Sequence, residues 1–402
     1  MNDAVRRHAG PPRATKLDEV FGTIAEGAAE RDLERSHPYE AVALLKNAGF
    51  GSLRLAVDQG GAGYSMREAL TAVIALGAAD ANVAHIFRNH FVFVDTYVRR
   101  PQGPVEAGLQ PKIASGALIG FASGELGMSP GTRDYSTKLT EDGNGFRLNG
   151  TKYYSTGSLY ADLIMVRATN ADGIDGVAVV PAERDGVERI DDWDGMGQRL
   201  TGTGTTNFQN VRVERGEVIL HGPGTSYAQP YGTALAQLYL TSILAGILRN
   251  IVADSAALVK RRGRNFAHAA VQQPAEDPLL QHVVGQISSL AFAGEATVLA
   301  AADALDRAIE SANAFGLRDR ELAHAASLAA AKAKIVLDDI TARAATLLFD
   351  VGGASATKKS FNLDRHWRNA RTLASHNPAL YKTQAIGDLE INGAPLPQTG
   401  FF

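Results

Sequence analysis

Leu118–Thr169 reads LIGFASGELGMSPGTRDYSTKLTEDGNGFRLNGTKYYSTGSLYADLIMVRAT, and its punctuation decides the fold class. A Gly/Ser/Pro-rich loop, Ser123 to Thr132, separates two runs of strand character. Asp142-Gly143 is a hairpin signal and Asn149-Gly150 a second turn signal. The hydroxyl-rich run Tyr153-Tyr154-Ser155-Thr156-Gly157 then leads into an apolar strand, Leu163 to Val166. Strand and turn signals continue to Leu220. Gly176 to Val180 is short and apolar before Pro181, and Thr201 to Val213 is rich in Thr and Val with period-two character. This region, 117–222, reads as a small β-barrel or sandwich.

Outward from it, the pattern on both sides is helical. Toward the N-terminus, Leu17, Val20, Phe21 and Ile24 recur at spacings of three and four. Glu40 to Ala48 repeats this and is closed by Gly49 and Gly51, and Leu53 to Tyr64 is a turn-rich connector. Met66 to Ala79 and Asn82 to Val98 are two further helices. The second is apolar nearly all round, which argues for burial, yet it carries His85, Arg88, Asn89 and His90. Toward the C-terminus, Val298, Ala302, Leu305 and Ile309 mark one helix face, and Val336, Ile340 and Leu347 another. Long Ala/Leu-rich helices with short connections predict an antiparallel four-helix bundle. The expected architecture is therefore α+β, mostly α: an N-terminal helical domain (1–116), a central β-domain (117–222) and a C-terminal bundle with a final active-site segment (223–402).

Composition narrows the function. A net charge of −3 in 402 residues calls for neither a nucleic-acid backbone nor an anionic membrane. The absence of cysteine excludes disulfides and thiolate catalysis and fits a reducing cytoplasm. The sequence reading finds no run approaching the roughly 20 apolar residues of a membrane span. It takes the arginine-bearing N-terminus for a loose arm rather than a signal peptide. No GxGxxG follows a strand, so there is no nicotinamide-binding fingerprint.

The order helices, β-domain, helical bundle, together with four short motifs, resembles the acyl-CoA dehydrogenase superfamily along nearly the whole chain. The motifs are Asp58–Gly63, Phe121–Asp134, Asn149–Gly157 and Asn210–Val213. Within the superfamily, DRHWRNARTLASHNPALY (Asp364–Tyr381), Trp193–Arg199 and Arg262–Phe266 are similar to the flavin-dependent monooxygenase branch typified by dibenzothiophene and dimethylsulfone monooxygenases. Asn265 departs from the proline expected of that branch. Many dehydrogenases of the superfamily place a catalytic glutamate after the arginine-rich segment. Here Thr372–Pro378 contains no carboxylate, which favours oxygenation over α-proton removal.

The resemblance implies a two-component enzyme. Reduced FMN, supplied by an NAD(P)H:flavin reductase, would react with O2 to a C4a-hydroperoxyflavin that oxygenates a small, largely apolar molecule at S, N or C, sulfur favoured. An FAD-dependent acyl-CoA dehydrogenase or oxidase, with FAD in place of FMN, and a non-catalytic flavin-binding scaffold are the alternatives. A cytoplasmic homotetramer is implied.

The catalytic candidates are Thr156, whose position matches a hydroxyl near flavin N5; His90, with His85 as the alternative; and His366 and His376. The two C-terminal histidines lie across a helix-to-loop change and can face one cavity. Imidazole suits proton management near neutrality. The cofactor-binding candidates are Ser123, Met128 and Ser129 in the first loop, then Ser155 beside Thr156, and Trp193 at the ring edge. Arg264 with Phe266 is assigned to the phosphate, and Gly352, Gly353 and Ser355 to a Gly-rich turn. Three histidines without accompanying carboxylates do not make a metal site.

Overall fold

A computed structural model describes residues 12–127, 135–221, 229–398 and 402. Helices come first: α1 (Pro12–Ala25), α2 (Ala28–Glu34), α3 (Tyr39–Asn47), α4 (Met66–Ala79), α5 (Ala81–Ile86), α6 (Arg88–Phe93) and α7 (Pro104–Ala114). The stretch 82–98 is not one helix. It breaks at Phe87 and ends in a π-helical turn, Val94–Val98. Asp80 starts α5 by accepting from the backbone N–H groups of Asn82 and Val83, which places the break one short helix later.

Eight strands follow: β1 (Ile119–Ala122), β2 (Lys138–Asp142), β3 (Gly145–Lys152), β4 (Leu163–Asn170), β5 (Asp175–Pro181), β6 (Val187–Arg189), β7 (Thr206–Glu214) and β8 (Val218–Leu220). They pair in the order β6-β7-β3-β2-β4-β5-β8. β1 runs parallel to the first half of β4, and β2 meets its end. Asp142-Gly143 does mark the β2–β3 hairpin. Asn149-Gly150 does not turn the chain; it is a register shift inside β3. Gly150 sits at φ 153°, and a Cβ there would lie 2.3 Å from Thr137 Oγ1. Among the described residues no ladder joins β6 to β8, so the sheet folds over its core without closing. That core is apolar: Leu148, Phe208, Val211 and Val213 from one half face Ile164, Val166, Ala178 and Val180 from the other.

Three long helices complete the chain, α8 (Ala234–Arg261), α9 (Pro278–Glu310) and α10 (Arg320–Gly352), then the shorter α11 (Arg365–Ala374) and α12 (Ala379–Asn392). The long three pack on one another, with α4 from the N-terminal segment against α8 and α9, and α11 against α10. The α4–α8 crossing is a backbone contact. A Cβ on Gly246 would stand 2.6 Å from the Gly77 carbonyl carbon and from Ile74 O, so only glycine fits. One apolar core thus runs from Leu17 to Leu373 through both helical segments. By length and composition α8 and α9 reach the apolarity of a membrane span, contrary to the sequence reading; most of the apolar window of α8 is core here.

Buried charge ties the same layers together. The Asp95 side chain, 2% exposed, receives Arg54 at 2.9 Å, with Arg99 at 3.6 Å and Arg318 at 3.8 Å. These arginines belong to the connector before α4, the π-turn and the segment entering α10.

Candidate active site

The segment after β3 is shaped by its backbone. Tyr154 (φ 57°) and Gly157 (φ 84°) both take left-handed conformations. A Cβ on Gly157 would meet Ile86 O at 2.8 Å, so the segment presses directly on the end of α5. Ser155 N–H donates to Gly204 O and Gly157 N–H to Thr201 O, which joins it to the loop between β6 and β7.

A chain of hydroxyls crosses that junction. Thr156 Oγ1 lies 2.9 Å from Thr203 Oγ1, which lies 2.6 Å from Thr201 Oγ1, and Thr201 donates to Gln198 O at 2.9 Å. Gln198 holds φ 54°, uncommon for a residue with a side chain. Its carbonyl is shared with the indole N–H of Trp193, and its N–H donates to Asn369 Oδ1 on α11. Asn82 Oδ1 of α5 accepts from Leu200 N–H nearby. Three elements therefore force Gln198 to aim its carboxamide at His85, whose Nδ1 lies 3.0 Å from Oε1. With the carboxamide oxygen as acceptor, Nδ1 carries the proton and Nε2 is left with a free lone pair.

Three atoms of this group lack partners. Ser155 Oγ, Gln198 Nε2 and His85 Nε2 are buried with no hydrogen-bond partner. Buried polar groups are normally paired, so these three atoms are open to a ligand. Burial first, then the Arg88 charge, pull His85 down to about 3. His376, on the turn after α11, keeps an open face to solvent. Even so, the protein crowded round its ring, with Arg88, His85 and Lys334, pushes it well below the usual histidine range. Both imidazoles are thus neutral at neutral pH and sense the same charges. On the solvent side stand the half-buried Trp193 and the exposed Tyr154, edge to face at 6.2 Å.

The structure separates the other candidates from this group. His90 is a strut: Nε2 donates to Gly51 O at 2.9 Å and Nδ1 accepts from Ile119 N–H at 3.1 Å. With both nitrogens engaged and no exposed surface, it has nothing to offer a substrate, and burial holds it at about 4. His85, the alternative, is the free one. His366 lies behind the site, bonded to Asp254 Oδ2 at 2.8 Å beside Arg365 on the same oxygen at 2.7 Å. It lines a cavity of about 20 Å³ with Asp32, Asp80, Asn82 and Asn369. Burial and Arg365 hold it at about 4 against the pull of Asp254, and its one hydrogen bond goes to Asp254 rather than toward His376.

The 41%-exposed Phe266 is brought to Gly353, whose added Cβ would stand 2.8 Å from the Phe266 ring; Arg264, two residues before Phe266, and Ser355 are exposed. Among the described residues no hydrogen bond or ring contact joins this second group to Thr156. Met128 and Ser129 lie outside the described residues. Ser123 borders the site through its carbonyl, which accepts from Lys152 Nζ at 3.3 Å.

A carboxylate clamp sets the first loop. Glu125 takes Lys152 Nζ at 2.6 Å, Ser136 N–H and hydroxyl at 2.7 Å each, and Thr137 N–H at 3.0 Å, tying Glu125 and residues 136–137 to the end of β3. Burial pushes Glu125 up, but the bonds from Lys152, Thr137 and Ser136 outweigh it and hold it at about 2. Because that value is depressed, the contribution is complete above the ordinary pH 4.5 and fades as pH falls toward 2. Glu125→Gln is expected to cost about 2–3 kcal/mol near pH 7 and little near pH 2. Melting temperatures of both proteins across that range test this; a gap that does not change with pH contradicts it.

The acyl-CoA dehydrogenase middle-domain family matches residues 121–211, and its C-terminal-domain family matches residues 238–379. The chain belongs to the acyl-CoA dehydrogenase superfamily. The middle-domain match spans β2 to β6 and most of β7, with the segment Ser155–Gly157 and the loop that holds Gly204. The C-terminal match spans the long helices, α11 and His376. Within the superfamily, the chain is 28% identical over 416 residues to dibenzothiophene monooxygenase of Rhodococcus qingshengii, with 98% of each covered. It is 28% identical over 388 residues to the probable FMNH2-dependent monooxygenase SfnC of Pseudomonas putida, covering 95% of this chain and 96% of that one. The crystal structure of TdsC from Paenibacillus sp. A11-2 with FMN and indole superposes with a TM-score of 0.85 at 25% identity, covering 97% and 99%. The monooxygenase branch expected from Trp193–Arg199 and Asp364–Tyr381 is thus the one these relatives represent.

Gln198, Thr201, Thr203 and Arg88 were not among the sequence candidates. The one signal available was a cluster of polar residues, His85, Arg88 and Asn89, inside an otherwise apolar helix.

Proposed function

We propose that this chain is the oxygenase of a two-component, FMNH2-dependent monooxygenase that uses O2 to oxygenate a small sulfur compound. The observation that carries this is the neutral, orphaned cluster of Ser155, Gln198 and His85. Among the described residues no carboxylate is hydrogen-bonded to it, whereas removal of a thioester α-proton needs one. The relatives, two monooxygenases and an FMN complex, support the same class.

The residues present fit FMN. Ser155 and Thr156 would face the ring, with Trp193 and Tyr154 as a wall and the Ser123 loop beneath. When bound in its reduced form, FMN supplies the electrons with which one oxygen atom of O2 enters the substrate and the other leaves as water. The chain's own work is positional. The Thr156–Thr203–Thr201 hydroxyls orient donors without adding charge. His85, fixed by Gln198, holds an acceptor nitrogen toward the cluster. His376 closes the other side and can pass a proton at its ring nitrogen, and the packed β6–β7 loop limits water.

Arg264 and Phe266 with Gly352, Gly353 and Ser355 would hold the phosphate end of a flavin in a neighbouring subunit. The outer face of α9, with Leu279 and Phe292 at 74% and 78% exposure, supports such an assembly, a homotetramer. A separate reductase using NAD(P)H completes the system.

The test is reconstitution with a flavin reductase, NADH, FMN and air, with dibenzothiophene and dimethyl sulfone as substrates. Product should form only when reductase and O2 are both present. Reduction of a tightly bound flavin by an acyl-CoA, without oxygenated product, would overturn the reading.

A further inference from the structure

The loop between β6 and β7, which carries Trp193 and Gln198, is held by a second group built on the end of α2 and the turn after Gly157. Arg35, at φ 56°, ends α2 in a left-handed turn. Its guanidinium takes both oxygens of Asp191 at 3.0 Å, and Nη2 also donates to Trp193 O at 3.3 Å. Two residues on, His37 stands between two partners. Nε2 is 2.9 Å from Asp191 Oδ2, and Nδ1 is 2.8 Å from the Tyr160 hydroxyl. That hydroxyl donates to Leu200 O at 2.6 Å. Asp191 and Leu200 bracket the stretch with Trp193 and Gln198, so the group clasps the loop on both sides of it.

Counting protons fixes the charge of His37 in this clasp. A tyrosine hydroxyl has one proton. Burial, then the charges of Tyr39, Asp191 and Asp80, push the Tyr160 phenol far up, so it stays a donor. With that proton on Leu200 O, His37 Nδ1 must donate to the phenol oxygen. Asp191, paired with Arg35, only accepts, so Nε2 must donate as well. His37 is therefore an imidazolium when every bond is made. A neutral ring keeps one N–H. Spent on Asp191, it draws the Tyr160 proton to Nδ1 and strips Leu200 O of its donor. Spent on Tyr160, it leaves Nε2 and the carboxylate lone pair to lone pair. Either way one side of the loop is released. The titratable and charged groups at His37 are Asp191, the Arg35 that pairs with it, Tyr160, and Tyr39 at the start of α3, whose ring centroid is 5.8 Å away.

We propose that His37 is a positioning residue for the oxygenation: its imidazolium closes the clasp that holds Trp193 and Gln198, and through Gln198 the His85 ring, and loss of its proton with rising pH loosens them. This rests on the monooxygenase reading above.

The chain has two tryptophans, Trp193 in the clasped loop and Trp367 on α11. In a Trp367→Phe background the emission of Trp193 reports on the loop without flavin or turnover. Flavin-free protein titrated from about pH 6 to about pH 9 should show a change in that emission. His37→Leu should abolish the change and give the high-pH signal throughout. His37→Asn, whose amide nitrogen replaces Nδ1–H without titrating, should give a pH-independent signal nearer the low-pH one. In the reconstituted reaction, His37→Leu should lower product per NADH about tenfold at the acid end, the gap to wild type closing as pH rises, and His37→Asn should restore part of it. Circular dichroism confirms that each variant folds; if His37→Leu does not, loss of the pH dependence in His37→Asn decides. A Trp193 emission that is flat with pH, or whose change survives His37→Leu, overturns the proposal. So does a product ratio for His37→Leu within about twofold of wild type at the acid end. The monooxygenase reading fails separately, if wild type yields no oxygenated product, and the emission measurements still decide the clasp in that case.

Discussion

His85→Ala and His376→Ala are each expected to lower the rate of product formation by about 10²–10⁴ while leaving the fold intact. NADH and O2 consumption should continue, with hydrogen peroxide replacing product, because the neutral imidazoles proposed to serve the reaction are gone. The measurement is the ratio of product to NADH consumed, with peroxide assayed in parallel. Since both rings sense Arg88 and act on one site, the double variant should fall far short of the product of the single effects. Gln198→Ala should behave as a weaker His85→Ala, because it frees the ring to turn rather than removing it. His90→Ala is the control. It breaks two backbone bonds inside the core, so melting temperature should fall while coupling in the surviving protein is unchanged. Unchanged coupling in His85→Ala and His376→Ala would remove both from the mechanism.

Asp95→Ala is expected to be the most destabilising single change, by about 3–5 kcal/mol, because it strands Arg54, Arg99 and Arg318 around an empty position. Burial pushes the Asp95 carboxyl up, but the charges of Arg54, Arg99 and Arg318 prevail and hold it below the usual carboxylate range. A carboxyl depressed in the folded state contributes stability above its ordinary value near 3.8 and loses it as pH falls further. The deficit of the variant should therefore be full at pH 7 and shrink in acid. Urea melts at several pH values test this, and an Asp95→Ala protein as stable as wild type at pH 7 would show that the arginines find water instead.

Much was legible before any coordinates. The helix–sheet–helix order, the β2–β3 hairpin at Asp142-Gly143 and the flavoenzyme superfamily follow from local periodicity, turn chemistry and motif order, all written along the chain. Ser155 and Thr156 were candidates because their motif lies in one contiguous segment, and the structure joins that segment to the β6–β7 loop. The choice between His85 and His90 was not legible. Five residues apart in an apolar stretch, the two look alike; the break at Phe87 and the contacts of β1 and the β6–β7 loop decide which ring is spent on backbone and which is left free. Gln198 was hidden for the same reason: three distant elements hold its left-handed backbone. Residue type and spacing settle which elements form and what chemistry they carry. Which polar group is satisfied and which is left waiting depends on partners tens to hundreds of residues away, and only the packed structure brings those together.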